Sequence, residues 1–319
     1  MIEILKNLRT YIQLSDKRLL DKSMAALPEF TGLNLVDVGA AGKIEQRWES
    51  VSRHLNYIGF EPDKRSRALL AKQENNCKSY LLKENALWNK KTSMLFNVCK
   101  GFQASSLLLP NYELFSRYPD SHRVQVVNES PMNVERLDSL ELTDIDFVKM
   151  DTQGAEIQIL MGGKNTLQDV LGLELELMFA ELYQKQALFG EVKSWAEKNG
   201  FEFIDFLNLA RWERDKLQGY GQCVFGDALF MRTPESLNFE YQNIRKISSY
   251  LAILLLYRRF DLIQKSLEFL PEKKRKLFLA FTVFVKKLEK RNQKARLVHK
   301  WLSRLILCFG TDYKLHLFY

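Results

Sequence analysis

The sequence predicts an α/β fold: a doubly wound, mostly parallel sheet followed by a basic helical appendage at the C-terminal end. Two observations predict the sheet. Short apolar runs alternate with amphipathic helical patterns, an order that lays parallel strands side by side with helices on the faces. Glycines stand where the first of those runs must bend into a helix. The appendage is predicted by charge. Residues 236–319 hold 18 Lys+Arg against 6 Asp+Glu, a net of +12, whereas residues 1–235 hold 29 against 33, a net of −4.

The elements follow in order. A lead, residues 1–29, mixes apolar residues with Lys6, Arg9, Lys17 and Arg18 and lacks the clean apolar stretch of a signal peptide. The main domain, residues 30–235, opens with a strand at Leu33–Val38, and further strands are expected at Tyr57–Glu61, Lys78–Leu82, Ile145–Asp151 and Leu171–Leu177. Ile44, Trp48, Val51 and Leu55 share one helical face after the first strand. A helix near Asp63–Gln73 follows the second strand and one near Ala155–Met161 the fourth. Leu188, Val192, Trp195 and Ala196 mark another before Phe201–Leu207 and Cys223–Met231, which finish the sheet. Between about residues 94 and 134 the alternation breaks. Met94–Val98 and Arg123–Val127 read as strands flanking an irregular stretch with Ser105, Ser106, Pro110, Tyr112 and Tyr118. Loops at the carboxyl edge of such sheets hold ligands, so this insert is a candidate pocket wall, with a packing excursion as the plain alternative.

The first turn, Asp37-Val38-Gly39-Ala40-Ala41-Gly42, carries the first functional signal. Gly39 and Gly42 tolerate positive φ and put no Cβ against a ligand, and amides at the start of a following helix attract a carboxylate or phosphate. Glu61 comes 24 residues after Asp37, at the tip of the second expected strand, where a carboxylate can accept both hydroxyls of a ribose. The loop lacks the third glycine of a Gly-x-Gly-x-x-Gly pyrophosphate fingerprint, which disfavours a nicotinamide dehydrogenase and points to a nucleoside without a pyrophosphate.

Composition excludes some classes. Cys77, Cys99, Cys223 and Cys308 form no Cys-x-x-Cys pair, which argues against a zinc site or a disulfide framework and for a reducing cytoplasm. The overall charge of +8 belongs to the tail, so the slightly acidic main domain is not expected to bind nucleic acid. No His, Cys and carboxylate cluster has metal-ligand spacing, though an Asp-based divalent site stays open.

The stretch Ile145-Asp146-Phe147-Val148-Lys149-Met150-Asp151-Thr152-Gln153-Gly154-Ala155-Glu156, running on through Ile157-Gln158-Ile159-Leu160-Met161-Gly162-Gly163, resembles the signature of the FkbM family of S-adenosylmethionine-dependent methyltransferases. Asn85-Ala86-Leu87, Ser105-Ser106-Leu107, Val134-Glu135-Arg136-Leu137-Asp138-Ser139-Leu140 and Gly226-Asp227-Ala228-Leu229-Phe230 fall in the family's order, and the likeness spans about residues 30 to 235. The resemblance implies a Rossmann-like sheet with an antiparallel last strand. It also implies an S-adenosyl-L-methionine-dependent O-methyltransferase acting on a hydroxyl of a sugar or secondary metabolite, that is, a small-molecule or glycan acceptor.

By that likeness the Asp37–Gly42 loop, including Gly39 and Ala40, would hold the methionine end of the cofactor through its amides. Asp37 would reach the amino group or cap the turn, Glu61 would bind the ribose, and Asn85 and Ala86 would lie at the adenine edge. Asp151, ending the fourth strand beside the methyl group, would accept the acceptor's proton, contact the cofactor's ammonium or ligate a metal. Glu156 is a second candidate catalytic acid, or an acid favoured by its helix N-terminus. Gln153 stands where the family often has Glu, which removes a charge. Lys149 shares a strand face with Asp151 and is expected to pair with it. Ser105, Ser106 and His122 are the candidate acceptor-binding residues of the insert.

In residues 236–319 the apolar clusters Leu251–Leu256 and Leu277–Val285 are bracketed by Arg258-Arg259, Lys273–Lys276 and Lys286-Lys287. Each is shorter than the roughly 20 residues of a membrane span. Helices packing on their own domain or on a second copy, and interfacial helices on the inner face of an anionic membrane, both suit the pattern. The alternative function is a catalytically inactive docking module whose tail does the binding.

Overall fold

The computed structural model describes residues 17–214 and 221–308. The chain divides into two compact units: Gly32–Ser236, and the segments before Gly32 and after Ser236 together.

The Gly32–Ser236 unit is built on a seven-stranded sheet of order β3-β2-β1-β7-β8-β10-β9. Its centre is β1 (Leu33–Val38), parallel to β2 (Leu55–Phe60) on one side and to β7 (Phe147–Met150) on the other. Beyond these lie β3 (Ser79–Lys83) and β8 (Gly172–Met178), also parallel. The last two strands, β9 (Glu202–Trp212) and β10 (Gln222–Met231), pair antiparallel, and β10 lies antiparallel to β8, as the family resemblance implies.

Alternation along the strands gives the sheet two different faces. Val36, Val38, Val148, Met150, Leu173, Leu175 and Phe230 form an apolar layer with α5 (Glu156–Gly162) and α6 (Phe189–Lys198), through Ile159, Leu160, Val192 and Ala196. Asp37, Lys149, Glu174, Glu176 and Asp227 stand on the opposite face, at its carboxyl-terminal end. The helix expected after β1 is shorter than its apolar spacing suggests. It comprises α2 (Gln46–Glu49), whose N-cap Glu45 accepts the Arg47 amide, and a 3-10 turn at Ser52–His54. Leu55 already opens β2, because Trp48 and Val51 complete the buried contact. After β2, Asp63 caps α3 (Lys64–Leu70).

The insert is a second sheet of order β4-β6-β5. It pairs β4 (Ala86–Leu87) with β6 (Val126–Glu135), and β6 with β5 (Thr92–Cys99). The strand expected at Arg123–Val127 starts later and runs longer, since Ser121–Val124 forms a 3-10 turn. Between β5 and β6 lies α4 (Tyr112–Phe115), whose Leu114 and Phe115 pack with Tyr118, Val124, Leu182 and Tyr183 in a separate apolar cluster.

The other unit is helical: α1 (residues 17–25), α7 (Ile244–Leu256), α8 (Phe260–Phe269), α9 (Glu272–Leu277) and α10 (Leu279–Cys308). Asn243 caps α7 by accepting the Lys246 amide, and the Ser248 hydroxyl donates to the Pro28 carbonyl at 2.5 Å, joining the segment after α1 to α7. Among the described residues no helix is long and apolar enough to cross a membrane.

Candidate active site

The strand ends meet through one glycine. Gly39, with φ at +80°, sits so close to the loop after β7 that an added Cβ would lie 1.8 Å from the Asp151 carbonyl oxygen. The Gly39 and Ala40 amides both donate to the Phe60 carbonyl, at 2.9 and 3.0 Å. They therefore clamp the ends of β1 and β2 together, where the sequence reading aims them at a ligand's carboxylate. Gly42 also has positive φ, and its carbonyl accepts from Gln73 Nε2 at 3.2 Å.

Beside this junction is a partly open cavity. Phe60, Leu87, Phe96 and Ile159 supply apolar wall, while Glu61, Asn85, Gln103, Ser105 and Asp151 supply polar groups. Of the sequence candidates, Gly39, Glu61, Asn85, Ala86, Ser105 and Asp151 line it together; Ala40, Gly42, Asp37, Ser106, His122 and Glu156 do not. Leu107 of the Ser105-Ser106-Leu107 motif lines it as well, as do Phe102 and Gln103 of the insert, two residues that sequence reasoning passed over.

Glu61 follows β2 and is 4% exposed. Its Oε1 accepts the Asp63 amide at 2.7 Å, but burial outweighs that bond and pushes its pKa to about 7. Asp63 is held by Arg65, whose NH2 donates to Asp63 Oδ2 at 2.6 Å, to the Cys99 carbonyl at 2.8 Å and to Ser105 Oγ at 3.2 Å. Burial would raise the Asp63 pKa, yet those hydrogen bonds prevail and hold it below the usual value. Ser105 also accepts the Cys99 amide at 3.0 Å, so it is both cavity wall and the joint between the insert and the end of β2.

Asp37 is buried outside the cavity. It accepts from the Tyr57 hydroxyl at 2.8 Å and faces Lys149 Nζ at 3.6 Å. Lys149 thus pairs with Asp37 across the strands, where the sequence reading pairs it with Asp151. Burial alone would lower its pKa, but Asp37, Asp151, Glu174 and Asp227 around it hold it above the usual value. Ser106 is buried too, its hydroxyl donating to the Gln153 carbonyl at 2.9 Å and fastening the insert to the loop after β7. His122 lies exposed on the 3-10 turn, whose inward residue is Val124.

That loop turns through two left-handed residues, Gln153 at φ +57° and Gly154 at +100°. Glu156 closes it by accepting the Thr152 amide at 2.8 Å, the Thr152 hydroxyl at 2.9 Å and the Gly154 amide at 3.4 Å. Burial raises the Glu156 pKa to about 7 despite these donors. Its place is inside the loop rather than in the cavity, and it shapes the backbone that presents Asp151. Asp151 Oδ1 accepts from Gln153 Nε2 at 2.8 Å, and the same nitrogen lies 2.7 Å from Glu176 Oε2. Gln153 Oε1 accepts from the Tyr183 hydroxyl at 2.9 Å. Among the described residues no group of three or more His, Cys, Asp or Glu side chains is arranged to hold a metal ion.

Residues 37–203, more than half of the chain, match the model of the methyltransferase FkbM domain. The chain belongs to the FkbM methyltransferase family. No curated protein is a match. Among solved structures, the FkbM methyltransferase from Methylobacillus flagellatus is similar at 12% identity and a TM-score of 0.38, covering 63% of this chain and 44% of that one. The chain therefore spans less than half the length of that protein. A TehB-like SAM-dependent methyltransferase from Corynebacterium glutamicum aligns at 14% identity and a TM-score of 0.32, over 72% of this chain and 97% of that one. M. jannaschii TYW2 in complex with AdoMet aligns at 15% identity and 0.32, over 68% and 74%.

Membership of this family makes S-adenosyl-L-methionine the cofactor against which the site is to be tested. The residues present fit that molecule: Glu61 is a buried carboxylate at the cleft wall whose burial outweighs its hydrogen bonds, and a ribose diol supplies the donors that would offset it.

Proposed function

We propose that the chain methylates a hydroxyl of a sugar or secondary metabolite, a small-molecule or glycan acceptor, with Asp151 as the base. The supporting observation is the shared cavity: Glu61 follows β2 and Asp151 follows β7, the two neighbours of β1, and both carboxylates line it. When bound, the cofactor supplies a methyl group on a positively charged sulfur. Glu61 holds the ribose hydroxyls, and Asn85 and Ala86 take the adenine edge. Gly39 and Ala41 line the cavity at the β1 turn, and Ser105 lines it on the insert side. The methyl carbon would bond to the acceptor oxygen as its electron pair goes back to sulfur, and Asp151 would take the hydroxyl proton, which balances the charge.

Calorimetry with S-adenosylmethionine tests the cofactor half, and incubation with the methyl-tritiated cofactor and an extract of the source organism tests the acceptor half. Label in a hydroxyl-bearing small molecule or glycan is expected. Absence of cofactor binding by the folded protein, or label found only in nucleic acid, overturns the reading.

The same reading includes peripheral contact with an anionic membrane. Leu277, Leu279 and Val283 are exposed beside exposed Lys273, Lys276, Lys286 and Lys287, an apolar strip with a cationic rim. Sedimentation with phosphatidylserine vesicles but not with phosphatidylcholine vesicles is expected, and equal partition into both defeats it.

A further inference from the structure

The charged face of the sheet holds two rows. In the lower row, strand register sets Asp37, Lys149 and Glu174 side by side on β1, β7 and β8. That row is balanced, for Lys149 faces Asp37 and Arg47 NH1 bonds Glu174 Oε2 at 3.0 Å. The upper row begins with Asp151, just past the end of β7, and continues with Glu176 on β8 and Asp227 opposite it on β10. It has three carboxyl groups and, among the described residues, no ion pair of its own, Lys149 of the lower row being a cation that acts on it. Like charges so placed on a buried sheet face cannot all be ionised.

Gln153 shows where the row has adapted. Its Nε2 reaches Asp151 Oδ1 and Glu176 Oε2 together, at 2.8 and 2.7 Å, and the reverse amide orientation would set a carbonyl against two carboxylates. Tyr183 at Oε1 reinforces that choice. Converging on one amide nitrogen on a buried sheet face, the Asp151 and Glu176 carboxyls stand too close to be ionised together, and one of them keeps a proton. Of the two, Glu176 is the buried one, whereas Asp151 lines the cavity.

We propose that Glu176 is a positioning residue for Asp151, donating to it the one proton the pair shares and so fixing the charged Asp151 carboxylate toward the acceptor. Burial first, and then the Asp151 charge, hold the Glu176 carboxyl well above the usual range, in keeping with this placement. The groups that face the pair are Lys149, Asp37 and Glu174 in the lower row, Asp227 on β10, Glu156 on α5 and Tyr183 after β8. The proposal rests on Asp151 being the base. Taking the acceptor proton brings the pair from one negative charge to none, with Glu176 unchanged.

The test uses the full chain labelled with carboxyl-13C glutamate and titrated by NMR, the Glu176 signal being identified by its loss in Glu176→Gln. The Glu176 carboxyl is expected to remain protonated at neutral pH. In Asp151→Asn its midpoint is expected to fall by at least about one unit, roughly tenfold in proton affinity. A midpoint unmoved in Asp151→Asn overturns the proposal. Tritiated-methyl transfer into the source extract gives the second readout. Wild-type rate is expected to drop on the alkaline side as Glu176 ionises, while Glu176→Gln, which still donates to Asp151 but has no proton to lose, keeps its rate there. An alkaline drop shared by both also overturns it. The isosteric Gln variant guards against misfolding. S-adenosylmethionine calorimetry on the same samples separates the two readings, since lost cofactor binding sinks the methyl-transfer reading and leaves the carboxyl titration to judge the pair.

Discussion

The two carboxylates that close the cavity are held in opposite ways. Glu61, at the end of β2, is fixed by its own neighbourhood, with the Asp63 amide two residues on and Arg65 behind Asp63. Asp151, at the end of β7, is held by Gln153 two residues on, which is itself anchored to distant chain, Glu176 on β8 and Tyr183 beyond. A group held locally can be buried almost alone and waits for a ligand's donors. A group held by a network arrives with its hydrogen bonds already made and is free to exchange a proton. On the proposed reading, binding and proton transfer fall to different strand ends.

The largest expected effect breaks the junction between those ends. Gly39→Ala places a methyl carbon 1.8 Å from the Asp151 carbonyl at a positive φ, and neither backbone can yield cheaply. Denaturant unfolding should show a loss above about 4 kcal/mol, along with lost cofactor binding. Wild-type stability would mean that the two loops do not meet. Next, Asp151→Asn should lower turnover by about 10²–10⁴-fold while changing cofactor affinity much less. An equal loss in both would place Asp151 with Glu61 as a binding group and erase the contrast.

That contrast also explains what was legible in the sequence. The order of strands, the β1 turn and the acid at Glu61 are local patterns, and period, glycine and spacing report them directly. The same holds for Asp151, carried by a contiguous motif. Asp37 and Glu156 were visible as acids at strand and helix ends, but whether they face a cavity depends on Tyr57, Lys149 and the Thr152 amide, which only folding brings near. The roles of Glu176 and Tyr183 come from pairings more than 20 residues away, between strands. One signal was present: Glu174 and Glu176 alternate within the apolar run Gly172–Met178, and two acids on one face of a buried strand require partners. His122 shows the converse, since proximity in sequence to the insert did not place it in the cavity.

A third experiment sharpens the comparison through Glu156. Burial lifts its pKa from 4.5 to about 7, so the folded state prefers it protonated, and its contribution is fully present below about pH 4.5 and lost as pH rises through 7. At about 1.4 kcal/mol per unit, the loss is on the order of 3 kcal/mol. Glu156→Gln keeps an oxygen for the Thr152 and Gly154 amides but has nothing to ionise. Its stability should be less pH-dependent by about that amount between acid and neutral pH, as measured by urea unfolding. An unchanged slope would mean that the loop after β7 opens before Glu156 titrates.

The smallest effect is at Glu61. Its pKa near 7 comes from burial with too few donors, and ribose hydroxyls supply donors that favour the ionised form. S-adenosylmethionine affinity should therefore fall as pH drops below 7, by at most about tenfold per unit, and binding near neutrality should release a proton, read by calorimetry in buffers of different ionisation enthalpy. Glu61→Ala should cost about 1–3 kcal/mol of affinity at pH 8 and abolish the pH dependence. Because Asp151 is held by the network, Asp151→Asn should leave that dependence in place. If Asp151→Asn flattened it instead, the titrating group that meets the cofactor would be at the β7 end, and the division of labour between the two strand ends would have to be reversed.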